Sequence, residues 1–375
     1  MKKKVVILVP SLELGGGAEK VASVLSNHLI EKYDIHIITL FHFENKYPFK
    51  GKYYSLKERK FIFNPLLRIL KLYKLIKLIS PDIILTFMNK TSFWAIPTVY
   101  LFNLNIPLLI LINTNPDSHY KKRIYGKFLI RFLFPLKKIN LLIPVSKELK
   151  KILNINYRID NRKIIPIYTG IDTEGIKNLA KEEIDEYKEI FEEKNLIKFI
   201  TMGRLSPEKG HKYLIEAFSQ LVKEIPNSKV FILGEGSLRV QLEQQISLKK
   251  LQNHIFLLGF KENPYKFISN SDVFVLSSLH EGLPYSLIEA LACGTPIIST
   301  DCETGPKEIL ENGKYGLLVR VMDVDDLKQK MIYLAKDQNL RNNLSRYGLE
   351  RVRAFDNQKF FDNWDKLINY FLKEN

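Results

Sequence analysis

The chain has 375 residues, 46% hydrophobic and 26% charged, which is enough for two globular cores. Sixteen Pro and eighteen Gly within an aliphatic-rich composition exclude a collagen-like or disordered chain. Cys293 and Cys302, with no histidine cluster beside them, exclude a disulfide scaffold and a zinc site and fit a reducing compartment.

The opening MKKKVVILVP is basic, but its apolar run is too short for a signal core and no small-residue cleavage site follows. It reads as a first strand, Val5–Val9, and the chain as cytosolic. A glycine loop, a helix over Glu19–Glu31 and strands at Ile35–Leu40, Ile83–Thr86, Leu108–Ile112 and Leu141–Val145 follow. Strands alternating with helices predict a parallel α/β sheet. Between Lys90 and Asp117 there is no charge, which raises the alternative of a membrane span. Pro97, Asn103, Asn105 and Pro107 break that run, so it reads as a buried helix, a turn and a buried strand. Charged, strand-poor sequence over Ile171–Lys194 reads as a linker. The alternation then restarts with strands at Ile197–Met202, Lys229–Leu233, Ile255–Leu258, Val273–Leu276, Pro296–Ser299 and Gly316–Val319. The expected fold is α/β: two doubly wound, Rossmann-like parallel-sheet domains, residues 1–172 and 173–357, facing across a cleft. Ligands would bind at the carboxyl ends of strands. The amphipathic stretch Phe360–Leu372, within residues 358–375, would pack back onto the first domain.

The net charge of +16 sits entirely in the first half. Residues 1–172 hold 29 Lys/Arg against 11 Asp/Glu, while the remainder holds 28 against 30. A nucleic-acid binder or a protein at an anionic membrane would show this imbalance. Arg68, Lys71, Lys74 and Lys77 recur at helical spacing among leucines and isoleucines, and Lys121–Lys138 mixes cations with Phe, Tyr and Leu. Each segment alone also fits an ordinary surface helix with one face in the core. Two of them together point to a membrane surface. No RNA-binding signature or zinc-finger spacing supports nucleic acid.

The chemistry concentrates in the second half. Arg204 and Lys209 lie in the loop GRLSPEKG, after the strand Ile197–Met202, where they can converge on an anion. The strand DVFVLSS leads into LHEGLPYSLIEALACGTP, with Glu281 in the loop and Glu289 in the second turn of a helix opening near Pro284 and stopping at Gly294. Amides between Gly282 and Ser286, including Leu283 but not Pro284, would form a helix N-terminal anion site. Two carboxylates beside an anion site need a different task. Accepting sugar hydroxyls while the cations and amides take a diphosphate satisfies every group, which points to a nucleotide-sugar.

Glu-x7-Glu in EGLPYSLIE, preceded by GRLSPEKG and by GGGAE in the first loop, resembles glycosyltransferase family 4, of the GT-B fold. The resemblance covers nearly the whole chain. It implies a retaining hexosyltransferase that needs neither metal nor cofactor, with a nucleotide-sugar donor in the C-terminal domain and the acceptor in the N-terminal one. Carried over by position, Arg204 and Lys209 hold the diphosphate, Glu281 the donor sugar and Glu289 the ribose. Gly234 and the turn Gly259–Phe260 lie near the base, and the backbone at Gly16 and Gly17 approaches the phosphates. Read without the family, Gly15–Gly17 is a tight turn before a helix. It also raises a dinucleotide-dependent oxidoreductase, but GGGAE is not G-x-G-x-x-G and no acidic residue ends the second strand. Relatives present a histidine near the reacting sugar after the strand at 108–112. His119 is the candidate here, and Asn113, Asn115 and Asp117 compete for the role; His211 reads as a helix-entry residue.

Bond cleavage places new negative charge on the leaving diphosphate, which Arg204, Lys209 and helix-end amides would stabilise. A double-displacement route needs a carboxylate beneath the anomeric carbon, and the resemblance places neither glutamate there. It implies front-face attack instead, with the leaving phosphate assisting deprotonation. The basic first domain and the similarity of DCETGPKEIL to bacterial enzymes of surface-glycan assembly imply a lipid-diphosphate-linked saccharide acceptor. The donor would be a UDP-sugar, and the site of action the inner face of the cell membrane, held peripherally.

Overall fold

The computed structural model describes residues 2–13, 16–42, 47–56, 65–119 and 124–373. The chain divides into two compact units, residues 1–170 with 358–375, and residues 171–357.

In the first unit six parallel strands, β1 (Lys4–Val9), β2 (Asp34–Thr39), β3 (Lys52–Ser55), β4 (Ile83–Phe87), β5 (Leu108–Ile112) and β6 (Ile139–Pro144), lie in the order β3-β2-β1-β4-β5-β6. The second unit repeats the plan with β7 (Ile197–Met202), β8 (Ser228–Leu233), β9 (Ile255–Gly259), β10 (Val273–Leu276), β11 (Ile297–Thr300) and β12 (Leu317–Val319), ordered β12-β11-β10-β7-β8-β9. Both sheets therefore start at the centre, build to one side, and reverse between their first and fourth strands. That reversal is where doubly wound sheets bind ligands. The central strands are nearly continuous aliphatic runs because helices cover both faces: Val5 to Val9 and Ile83 to Leu85 are buried throughout.

The reversal is pinned alike in both units. Asp82, just before β4, accepts the Lys4 amide at 2.8 Å and returns its own amide to the Lys4 carbonyl at 2.9 Å. Asp272, just before β10, makes the same exchange with Lys198, both bonds at 2.8 Å. An aspartate at the foot of the fourth strand thus fixes its register against the first.

Against the sequence reading, one strand is new, one segment is corrected and one stretch is as expected. The strand β3 was not anticipated: its residues, KYYS, are partly exposed at the sheet edge and carry no aliphatic run. Residues 171–194 are not a bare linker. They carry the helices Thr173–Leu179 and Lys188–Glu192, which belong to the second unit, with Ile176 and Phe191 in its core. The uncharged stretch after Lys90 is the helix Met88–Leu101, a turn and β5, and no helix among the described residues is long and apolar enough to cross a membrane.

The last helix, Asn357–Lys373, returns to the first unit and buries Phe360, Trp364, Leu367 and Ile368 there. The His28 ring stacks on Phe361 at 4.0 Å, and Asp365 accepts from His28 Nε2 at 2.9 Å and Lys32 Nζ at 2.7 Å. The first unit is therefore closed by the end of the chain.

Candidate active site

The site assembles at the carboxyl ends of β7 and β10. After β7 the chain runs through Gly203–Gly210, with a single 3-10 turn at Pro207–Lys209, into the helix His211–Leu221. Two glycines let this loop seat against its neighbours. Gly210 has φ +65°, and a Cβ there would meet the Ser277 carbonyl at 2.1 Å. Gly234, after β8, has φ +135°, and a Cβ would meet the Gly203 carbonyl at 2.1 Å. Neither position admits a side chain without moving backbone.

The loop is stitched to the one after β10. The Leu279 amide donates to the Glu208 carbonyl at 2.7 Å, and the Ser277 hydroxyl donates to the Lys209 carbonyl at 3.0 Å. Across this seam Lys209 Nζ reaches Glu281 Oε1 at 2.6 Å, and the Ser278 hydroxyl donates to the same oxygen at 2.7 Å. The two motifs, separated by 72 residues in sequence, are thus one cluster. Before any ligand arrives, Glu281 neutralises Lys209. Arg204 is exposed, and its guanidinium makes no hydrogen bond or ion pair among the described residues. Glu208 lies below the ordinary carboxylate range: burial pushes it up, but bonds from Ser206 and its own amide and the charges of Arg204 and Lys209 outweigh that.

The His211 ring is buried behind this loop, and neither nitrogen has a hydrogen-bond partner of good geometry. Burial, then the charge of Lys209, pulls its pKa to about 4, against weaker opposing effects of the Arg204 and Gly203 backbone and Glu208. It is a neutral residue at the helix entry.

The loop Ser277–Pro284 opens the helix Tyr285–Ala292, with Pro284 as N-cap and Gly294 at φ +70° past its end. The amides of Gly282 and Leu283 donate to nothing among the described residues, while Leu283, Pro284 and Ser286 are buried. Thr304 donates to the Glu281 carbonyl, and Thr300 to the Ser278 carbonyl at 2.6 Å. Cys302 lies in the same layer; burial pushes its thiol up to about 12, so it is an inert packing group. Glu289 is one turn into the helix and buried. Its Oε1 accepts the Tyr265 hydroxyl at 2.8 Å, and burial first, then the glutamate, pushes that phenol far above its ordinary range. Gly234 donates its amide to the Gly259 carbonyl at 2.8 Å, and the neighbouring Phe260 ring is half exposed. Sequence reasoning missed Ser278, Thr300, Thr304 and Tyr265, because nothing in their local sequence marks them. Among the described residues no group of three His, Cys, Asp or Glu side chains gathers as a metal site.

In the first unit Gly16 is the N-cap of the helix Gly17–Leu29 and accepts the Lys20 amide at 3.0 Å; Gly15 lies outside the described residues. The residues after β5 separate. Asn115 Oδ1 takes the Asp117 amide at 2.9 Å, and Asp117 accepts from Asn156 at 2.7 Å, Tyr157 at 3.1 Å and Lys127 at 3.2 Å. Both are occupied in structure. Asn113 Oδ1 is buried without a partner, as are both ends of the Asn89 carboxamide, two residues past β4. His119 ends the short helix Pro116–His119, and its side chain lies outside the described residues.

Comparison with known proteins identifies the family. Residues 15–175 match the family model "Glycosyltransferase Family 4", and residues 181–351 match "Glycosyl transferases group 1". An uncharacterised glycosyltransferase of Methanocaldococcus jannaschii is 34% identical, over 82% of this chain and 84% of that one. The N-acetylgalactosamine-N,N'-diacetylbacillosaminyl-diphospho-undecaprenol 4-alpha-N-acetylgalactosaminyltransferase of Campylobacter jejuni is 32% identical, over 92% and 93%. Among solved structures, Anabaena HepE in complex with UDP and glucose superimposes with a TM-score of 0.80 at 18% identity, covering 98% of this chain and 100% of HepE. The chain belongs to glycosyltransferase family 4 and is a glycosyltransferase built of the two Rossmann-like sheets of the GT-B fold.

Proposed function

We propose that this enzyme moves a hexose or N-acetylhexosamine from a UDP-sugar to a hydroxyl of a lipid-diphosphate-linked saccharide in bacterial surface-glycan assembly, with retention and without a metal. The observation that carries this reading is the cluster of Arg204, Lys209, Glu281 and the Gly282 and Leu283 amides at the carboxyl ends of β7 and β10. Two cations and two undonated amides suit a diphosphate. The Glu281 carboxylate, released from Lys209, suits the donor sugar's hydroxyls, and Glu289 those of the ribose. As the glycosyl–phosphate bond breaks, charge grows on the diphosphate, and one preorganised donor at such a position is worth about 3–4 kcal/mol. The name of the Campylobacter relative supports the acceptor class, and the UDP in HepE supports the nucleotide. On the acceptor side, Asn89 and Asn113 offer buried amide groups that a saccharide hydroxyl can pair.

Two basic helices of the first unit support action at an anionic membrane surface. Pro65–Ile79 buries Ile69, Leu72, Ile76 and Ile79 and leaves Leu66, Leu67, Leu70, Lys71, Lys74 and Lys77 exposed. Arg68 is not part of that outer face, since its guanidinium lies over the Trp94 ring at 4.2 Å. Ile124–Leu133 exposes Phe128, Arg131 and Phe132; Lys121–Arg123 lie outside the described residues. Thermal melting tests the donor class: millimolar UDP should raise the melting temperature with or without EDTA, because it binds the native state. A shift with NAD and none with UDP would instead favour the oxidoreductase alternative.

A further inference from the structure

Among the described residues the Gly282 and Leu283 amides donate to nothing, so no bond of their own aims them at an anion. Gly282 makes the first of them easy to lose. Turning over the Glu281–Gly282 peptide changes φ at residue 282, and a glycine there tolerates the positive values that other residues avoid. A peptide turned over presents a carbonyl oxygen to the anion in place of an N–H. The site therefore needs a restraint on this peptide from outside the loop.

Residues 300–305, running on from the carboxyl end of β11, supply it. Every second side chain from Thr300 donates to a carbonyl of the loop after β10: Thr300 Oγ1 to Ser278 at 2.6 Å, Cys302 Sγ to Ser278 at 3.1 Å, and Thr304 Oγ1 to Glu281. All three residues are buried. Thr300 and Cys302 hold the start of the loop, while Thr304 acts on the peptide that carries the Gly282 amide. In a planar trans peptide the C=O and the following N–H point in opposite directions. Holding the Glu281 carbonyl against Thr304 therefore turns the Gly282 N–H away from residues 300–305. The next peptide is set the same way. A Cβ on Gly305, at φ +93°, would stand 2.7 Å from the Gly282 carbonyl oxygen, so that oxygen also lies against this segment and the Leu283 N–H points away from it. Two successive amides turned to one side form a nest that suits an anion.

We infer that Thr304 is a positioning residue for the donor diphosphate: its hydroxyl fixes the Glu281–Gly282 peptide so that the Gly282 amide stays turned toward the phosphate. This rests on the nucleotide-sugar donor proposed above. Thr304 acts through the backbone and not by touching the ligand. The hydroxyl alone carries the role, so serine can replace threonine and valine, which keeps the shape and loses the donor, cannot. The base and ribose contacts proposed at Gly234, Phe260 and Glu289 do not depend on this peptide, so a change at Thr304 acts on the phosphate end of the nucleotide alone.

Titration of the full-length wild type, Thr304→Val and Thr304→Ser with UDP and with uridine, followed by ligand NMR, tests this. Thr304→Val should weaken UDP at least tenfold, because a hydrogen bond to a charged group is lost, and leave uridine within about twofold. Thr304→Ser should bind both within about threefold of the wild type. If Thr304→Val does not fold, Thr304→Cys, whose thiol is a weaker donor of similar size, should show the same pattern at smaller amplitude. Unchanged UDP binding in Thr304→Val would overturn the inference. So would an equal loss of UDP and uridine, which marks general loosening of the unit, or a loss in Thr304→Ser as large as in Thr304→Val, which marks packing by the methyl group. A wild type that binds GDP and not UDP would overturn the proposed donor instead, and the same ratios would then be read with GDP and guanosine. A wild type that binds neither nucleotide would overturn both.

Discussion

Lys209→Met separates the structural and ligand-binding work of one side chain. Lys209 and Glu281 are 22% and 10% exposed and pair at 2.6 Å. Removing the lysine leaves the Glu281 carboxylate with the Ser278 hydroxyl as its remaining side-chain donor. Breaking a fully buried pair costs about 3–5 kcal/mol. Solvent reaches this one, so we expect roughly 1–3 kcal/mol, or about 2–10 °C in the melting of a unit this size. The same change removes a charge-assisted contact to the diphosphate, worth about 1.5–3 kcal/mol, so UDP should bind about 10–100-fold more weakly. Glu281→Gln acts in the opposite sense. It frees Lys209 from its partner, so UDP should bind at least as tightly as to the wild type. In the double variant Lys209→Met/Glu281→Gln, stability should return to within about 1 kcal/mol of the wild type, because no charge is left unpaired. UDP affinity should stay low. Thermal melts and UDP titration on the four proteins measure both quantities. If UDP affinity returned together with stability, Lys209 would serve only to neutralise Glu281, and the diphosphate assignment would fail.

Three further outcomes follow from the same geometry. Tyr265→Phe removes the hydroxyl that fixes Glu289, and should raise the donor KM several-fold with little change in kcat; an unchanged KM would remove Glu289 from ribose binding. His211 is held neutral with a pKa of about 4, below its unfolded value of about 6.5, so the unfolded chain binds its proton first. Its contribution is full above pH 6.5 and is lost as pH falls toward 4; His211→Asn should flatten that part of the stability profile, and an unaltered slope in urea titrations from pH 4 to 7 would refute it. Replacing Lys71, Lys74 and Lys77 with Glu should weaken binding to anionic vesicles, where each cation is worth about 1 kcal/mol, and the wild-type interaction should fade as salt rises. Salt-insensitive vesicle binding would contradict the basic-surface reading.

What the sequence made legible divides along physical lines. Strands such as VVILV and VFVL were readable because burial on both faces demands unbroken aliphatic runs. The edge strand β3 was not, because its partly exposed Tyr53 and Tyr54 carry no such pattern. Arg204, Lys209, Glu281 and Glu289 were identifiable as chemistry from motif and position. Their pairing was not, since the Lys209–Glu281 bond spans 72 residues and depends on the β7–β10 neighbour relation. Tyr265 was invisible for the same reason: only the fold brings its hydroxyl to Glu289. Arg68 fitted the basic stripe by spacing, yet Trp94, on the adjacent helix, takes it out of the outer face. Period and composition locate helices and cations. They do not say which cation a neighbouring element will claim.

The most direct test is sugar transfer itself. Purified protein should be incubated with radiolabelled UDP-galactose, UDP-N-acetylgalactosamine, UDP-N-acetylglucosamine or UDP-glucose, and with undecaprenyl-diphosphate-linked N-acetylhexosamine as acceptor, in the presence of EDTA. A labelled lipid-linked product from one of these donors, with the anomeric configuration retained, is the expected result. Transfer only from a GDP-sugar, dependence on a divalent metal, or inversion at the anomeric carbon would contradict the corresponding part of the proposal, and no transfer from any UDP-sugar would contradict its core.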